Sequence, residues 1–174
     1  MSRNIIEFGF GHYSSSRPEP GDKLLAAEPL VGLHAKAEVH PDLEFFHLDE
    51  IAIMGYNGHC DIHYNLEDIL HSTCDPACLP LRRFEEKVRV PCLTLDTWID
   101  RYAHEGFRDR IDVLNVVLNH NSDDIFDGFS FNPKPEFIML GHPNYPERTI
   151  ERMKSIGYKI YHAGGKVVAI DIGR

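Results

Sequence analysis

Two short apolar runs near the start of the chain, Asn4-Ile5-Ile6-Glu7-Phe8 and Leu24-Leu25-Ala26-Ala27, are separated by Ser14-Ser15-Ser16-Arg17-Pro18-Glu19-Pro20-Gly21-Asp22. Proline fixes φ and lacks an amide proton, so no long helix forms across this stretch. The two runs must be joined by a loop or by a single turn. The first run leads into Gly9-Phe10-Gly11 and the second into Glu28-Pro29. Open α/β sheets begin nucleotide-type sites in this way: glycine lets backbone approach a ligand, and a carboxylate at the next strand tip holds ribose hydroxyls. The pair reads as the floor of a ligand pocket, with His12-Tyr13-Ser14 where a third glycine would complete the dinucleotide fingerprint.

The rest of the pattern extends that sheet. Leu30, Leu33 and Ala37 fall on one face of a short helix ended by Pro41, and Leu43–Leu48 and Ile51–Met54 read as strand segments. Asn57-Gly58 is a turn signal leading into Cys60–Tyr64, a small hairpin-like excursion, and Lys87–Val90 alternates like a half-buried strand. Thr94 caps a helix that carries Leu95, Trp98, Ile99 and Tyr102 on one face and stops at Gly106. The nearly continuous apolar run Ile111–Leu118 predicts a strand buried on both faces, at the sheet centre. Ser122 caps a short turn through Asp123 and Asp124 that ends at Gly128. Phe137–Leu140 is the next strand, and Pro146 opens a helix with Ile150, Met153 and Ile156 inward. Tyr158–His162 and Lys166–Ile172, joined through Gly164-Gly165, close the chain as an antiparallel hairpin. The expected fold is α/β: a single domain over residues 1–174 with a mostly parallel sheet and that hairpin at one edge.

Composition narrows the function. A formal net charge of −9 over 174 residues gives no general grip on a phosphate backbone, so a small-molecule substrate is expected and nucleic acid is not. No basic segment precedes an apolar core at the N-terminus and no apolar run reaches spanning length, so the expected protein is cytoplasmic with no membrane partner. Four cysteines in a chain this long predict reduced thiols rather than a disulfide framework. Apolar edges in the terminal hairpin permit a homo-oligomer.

Ile6-Glu7-Phe8-Gly9-Phe10-Gly11, Ala27-Glu28-Pro29, Val90-Pro91-Cys92-Leu93-Thr94-Leu95-Asp96, Ile111-Asp112-Val113-Leu114-Asn115, Lys134–Leu140 and Ile156-Gly157-Tyr158 follow one another in an order that resembles the FkbM-type methyltransferases. That resemblance implies a Rossmann-like methyltransferase sheet, S-adenosylmethionine as cofactor, and methyl transfer to a hydroxyl or amine of a small molecule such as a sugar or secondary metabolite. It implies cofactor contacts from Glu7, Gly9, Gly11, Glu28 and Asn119. The chain departs from the family after the central strand, where Lys-x-Asp-x-Glu-Gly-x-Glu is replaced by Asn115-Val116-Val117-Leu118-Asn119-His120-Asn121-Ser122. His120, at the carboxyl edge of that strand, is the candidate catalytic base, since histidine titrates near neutrality. The lost acids leave a second possibility open, a catalytically inactive module that keeps the sheet for binding or assembly, with or without a stabilising zinc ion.

A last constellation is Cys60-x-x-His63 followed by Cys74-x-x-x-Cys78, with His59 and His71 nearby, which offers ligands of the kind that close a zinc site. Ordinary buried cysteines account for the same thiols, and no metal ligand is assigned.

Overall fold

The computed structural model describes residues 2–10, 14–33, 42–68, 72–119, 123–141 and 147–173. In chain order the elements are β1 (Asn4–Phe8), β2 (Lys23–Ala27), β3 (Phe45–Asp49), β4 (Ala52–Ile53), β5 (Gly58–Tyr64), β6 (Glu86–Leu93) and α1 (Leu95–Arg101). These are followed by β7 (Val113–Val116), α2 (Asp123–Gly128), β8 (Phe137–Leu140), α3 (Glu147–Ser155), β9 (Tyr158–Ala163) and β10 (Lys166–Asp171). Seven strands make one sheet in the order β3-β2-β1-β7-β8-β10-β9, and β4-β6-β5 form a separate small sheet.

The large sheet is mostly parallel. β1 pairs in parallel with β2 and β7, β2 with β3, and β7 with β8. β10 runs antiparallel to both β8 and β9, so the last strand inserts between its two neighbours. The hairpin is set by Gly164 and Gly165, which adopt φ of 56° and 74°; a two-residue turn of this hand needs positive φ at both positions. The order reverses beside β1: β2 and β3 build outward on one side, β7 and β8 on the other. The expectation of a central Ile111–Leu118 strand holds in shorter form, because β7 spans Val113–Val116 and occupies the middle of the sheet.

Strand alternation divides the core. Ile6, Phe8, Leu25, Ala27, Leu114, Val116, Ile138, Leu140, Val167 and Ala169 face Trp98 and Ile99 of α1, Ile125 and Phe126 of α2, and Met153 of α3. These three helices, the α-helices among the described residues, therefore lie on one side. On the other side Ile5, Leu24 and Ala26 pack with Phe10, Leu43, Leu48 and Val113. A right-handed crossover explains the asymmetry, since the connections toward β7, β8 and β9 put their helices on the first face. The link from β1 to β2 has no helix among its described residues, in keeping with Pro18, Pro20 and Gly21.

Local signals account for most boundaries. Thr94 caps α1 by accepting from the Thr97 N–H, and the chain leaves through a 3-10 turn, Ala103–Glu105, into left-handed Gly106 at φ 90°. Pro91 lies within β6, the middle strand of the small sheet, but β4 pairs only with Cys92 and Leu93. Proline there faces a single partner, β5, at His59. Gly55 fastens this sheet to the body: an added Cβ would stand 2.7 Å from the Asp124 carbonyl oxygen of α2. Two expectations change. Ile156 is 36% exposed rather than inward, because α3 ends at Ser155, and Thr149 is buried instead. Val31–Leu33 form a 3-10 turn; Ala37, Ser122 and Pro146 lie outside the described residues.

Candidate functional site

Ligands of open α/β sheets bind beyond the carboxyl ends of the strands, where the strand order reverses. Here that place is the tips of β1, β2 and β7. β1 and β2 lie side by side in register from Asn4 opposite Lys23 to Phe8 opposite Ala27, so Gly9 and Glu28 leave neighbouring tips at the same level. The tips are stitched by backbone: Gly9 N–H donates to Ala27 O at 3.1 Å, and Val117 N–H to Phe8 O at 3.0 Å.

Glu28 is 5% exposed. Its Oε1 accepts from Leu30 N–H at 3.0 Å and its own N–H donates to Asp49 O at 3.0 Å, which fixes the carboxylate at the end of β2. Gly9 has φ of 75°, and a Cβ there would lie 1.6 Å from the Val117 carbonyl oxygen. Its missing side chain makes room for the β7 tip.

Glu7 is fully buried on the face opposite the helices. It accepts from Ser14 Oγ (2.6 Å), Ser15 N (2.8 Å), Ser15 Oγ (2.9 Å), Ser16 N (3.3 Å) and Ser16 Oγ (2.6 Å). Burying a carboxylate is costly unless hydrogen bonds replace its water, and the serine loop supplies them. Asn115 stands beside Glu7 in the β1–β7 register and donates to the same Ser15 and Ser16 hydroxyls at 2.5 and 3.0 Å. Asn119 reaches the other way: its Nδ2 donates to Ser72 O at 3.2 Å and its carbonyl accepts from Thr73 Oγ1 at 3.3 Å. Of the sequence-predicted set, Glu7, Gly9 and Glu28 are thus gathered on adjoining strands, while Asn119 ties β7 to the chain after β5. Gly11 and His120 lie outside the described residues.

At the tip of β3 sits a cluster that the sequence reading did not single out. The Asp49 carboxylate accepts from Trp98 Nε1 at 2.6 Å and Tyr102 OH at 2.8 Å, and its other oxygen lies 3.2 Å from His47 Nε2. Burial, followed by the hydrogen bond to Asp49, raises the Tyr102 pKa well above the ordinary phenol value. The helical spacing of Trp98 and Tyr102 was legible; their shared carboxylate, far away in sequence, was not.

The suggested zinc ligands do not converge. Successive side chains of β5 alternate faces, so Cys60 points inward with Ile62 while His63, three residues on, points outward against Phe84. Cys60 packs with Cys92, Ile62 and Val90, and Cys74 borders the same small core. Burial, then the nearby Cys92 thiol, raises Cys60 to about 12. Burial, then Cys60, does the same for Cys74. Cys78 instead donates to Asp75 Oδ2 at 3.3 Å. Among the described residues no group of three or more His, Cys, Asp or Glu side chains is arranged to hold a metal ion. His71 lies outside them.

No helix among the described residues is long and apolar enough to cross a membrane. Comparison of the chain with family models, with curated proteins and with solved structures returned no match.

Proposed function

We propose that the chain is a Rossmann-like methyltransferase of the FkbM type that uses S-adenosylmethionine to methylate a hydroxyl or amine of a small molecule. The observation that carries the reading is the position of Glu28: a buried carboxylate at the tip of β2, one strand from Gly9, beside the reversal of strand order. Support for the finer fold comes from a mostly parallel sheet that ends in an antiparallel hairpin, the arrangement expected from the sequence.

The residues fit one half of the cofactor better than the other. A carboxylate is the acceptor that vicinal ribose hydroxyls require, and Glu28 would hold them. At the amino-acid end, Glu7 is occupied by the serine loop and Gly9 by Val117. The cofactor, when bound, supplies a sulfonium-activated methyl group, so the protein's contribution is orientation and exclusion of water. The test is incubation of purified protein with labelled S-adenosylmethionine and a panel of sugars and amines. Label transfer that falls with Glu28→Ala supports the reading, and absence of transfer to any acceptor counts against it.

One observation favours a second reading, a non-catalytic binding module. Glu7 is committed to internal bonds, and Val117 and Asn119 stand where the family has acids. This reading expects nucleoside binding without turnover.

A further inference from the structure

The large sheet has two outer strands, and they are not alike. β3 ends in Asp49 and follows Asp42 and Glu44, charges of the kind that keep an edge from pairing. β9 has few such devices. Its six residues pair one to one with β10, with neither proline nor bulge. Its one charged residue, Lys159, folds its Nζ over the Tyr161 ring at 5.2 Å from the centroid. Among the described residues, no backbone hydrogen bond of Lys159 to His162 goes to any element other than β10. Beside this edge, Tyr161 is 42% exposed on the face away from the helices.

We infer that β9 pairs antiparallel with β9 of a second copy of this chain, across a twofold axis perpendicular to the sheet. The axis keeps each face on its own side, so facing residues must share a face. Centring the pair on Ile160 satisfies this. Tyr158 then faces His162, and each Lys159 faces the other copy's Tyr161, exchanging an internal cation–π contact for a mutual one and separating the two lysines. A second copy fits better than an arbitrary peptide because this register is self-complementary: it sets each Lys159 against a Tyr161 ring and keeps the two lysines apart. One short strand pair buries an area at the low end for protein interfaces, so the dimer is weak and concentration-dependent.

Sedimentation velocity from micromolar to near-millimolar protein tests this, with circular dichroism to check folding. Wild type shifts from monomer to dimer with concentration. Tyr161→Lys puts lysine opposite lysine and raises the dissociation constant at least tenfold. Tyr161→Glu faces Lys159 of the other copy and keeps the dimer at low salt, losing it as salt rises. A wild type monomeric throughout overturns the proposal. So does a dimer indifferent to Tyr161→Lys, or one broken equally by both substitutions, since the latter would place Tyr161 on the axis.

Discussion

Glu7 and Asn115 stand side by side on β1 and β7, and both reach the hydroxyls of Ser15 and Ser16, Asn115 as donor and Glu7 as acceptor. Each hydroxyl relays one hydrogen bond into the next, and the chain of bonds ends on a carboxylate out of contact with water. In the family that the sequence resembles, Asn115 corresponds to a lysine, and a lysine there would stand beside this acid. Here neutral hydroxyl and N–H donors of Ser14, Ser15 and Ser16 solvate the acid instead.

Removing the charge tests the arrangement. Glu7→Gln keeps the shape but turns two donors toward serine hydroxyls and N–H groups that are themselves donors. The expected loss is about 2–4 kcal/mol of unfolding free energy by urea titration. Ser14→Ala, which deletes one hydroxyl, should cost only about 1 kcal/mol.

At Gly9 two penalties coincide, a left-handed backbone and a carbonyl oxygen 1.6 Å from where Cβ would go. Gly9→Ala must push β1 and β7 apart at their tips. We expect a loss above about 3 kcal/mol, or insoluble protein, whereas Gly21→Ala, with open space around its Cβ, should cost about 1 kcal/mol.

Much of the fold was legible because the signals were local. Apolar runs gave the strands, Thr94 and Gly106 bounded the α1 region, and Gly164-Gly165 fixed the terminal hairpin. The site was legible only in part. Glycine before a loop and acid after a strand are visible in sequence, but what fills the space around them depends on pairing across a hundred residues. Glu7 read as a cofactor contact, and nothing local revealed that Ser14–Ser16 would turn back onto it. Cys60 and His63 do not meet because residues 58–64 form a strand, in which side chains three apart take opposite faces.

Acid sensitivity should pass through Asp22, below the amino ends of β1 and β2. Burial works against its charge, but hydrogen bonds from the Arg3 guanidinium and from the Glu19 and Arg3 N–H groups outweigh it and hold the carboxyl below its ordinary value. The folded pKa lies under the unfolded one, so this contribution is complete above about pH 4 and is lost as pH falls through the folded value. Asp22→Asn should cost about 1–3 kcal/mol at pH 7 and flatten the decline below pH 4, as read by urea unfolding across that range.

The thiols should react in two classes. With Cys60 and Cys74 raised to about 12 by burial and neighbouring thiols, little thiolate exists at pH 8. Cys92 is raised as well, with burial the leading cause. Iodoacetamide should label Cys78 first in the native protein and all four cysteines only in denaturant, as peptide mass spectrometry would record. Rapid native labelling of Cys60 would show that the small sheet opens readily.

The claim on which the functional account turns is that the neighbouring tips of β1 and β2 accept an adenosyl ligand through Glu28. Isothermal calorimetry with S-adenosylhomocysteine, on wild type and on Glu28→Gln, addresses it directly. Glutamine keeps an oxygen for Leu30 N–H, so the variant should stay folded while losing the charge. The account predicts saturable one-site binding in wild type, weakened at least tenfold in Glu28→Gln. No heat at millimolar ligand, or equal affinity in both proteins, would contradict it.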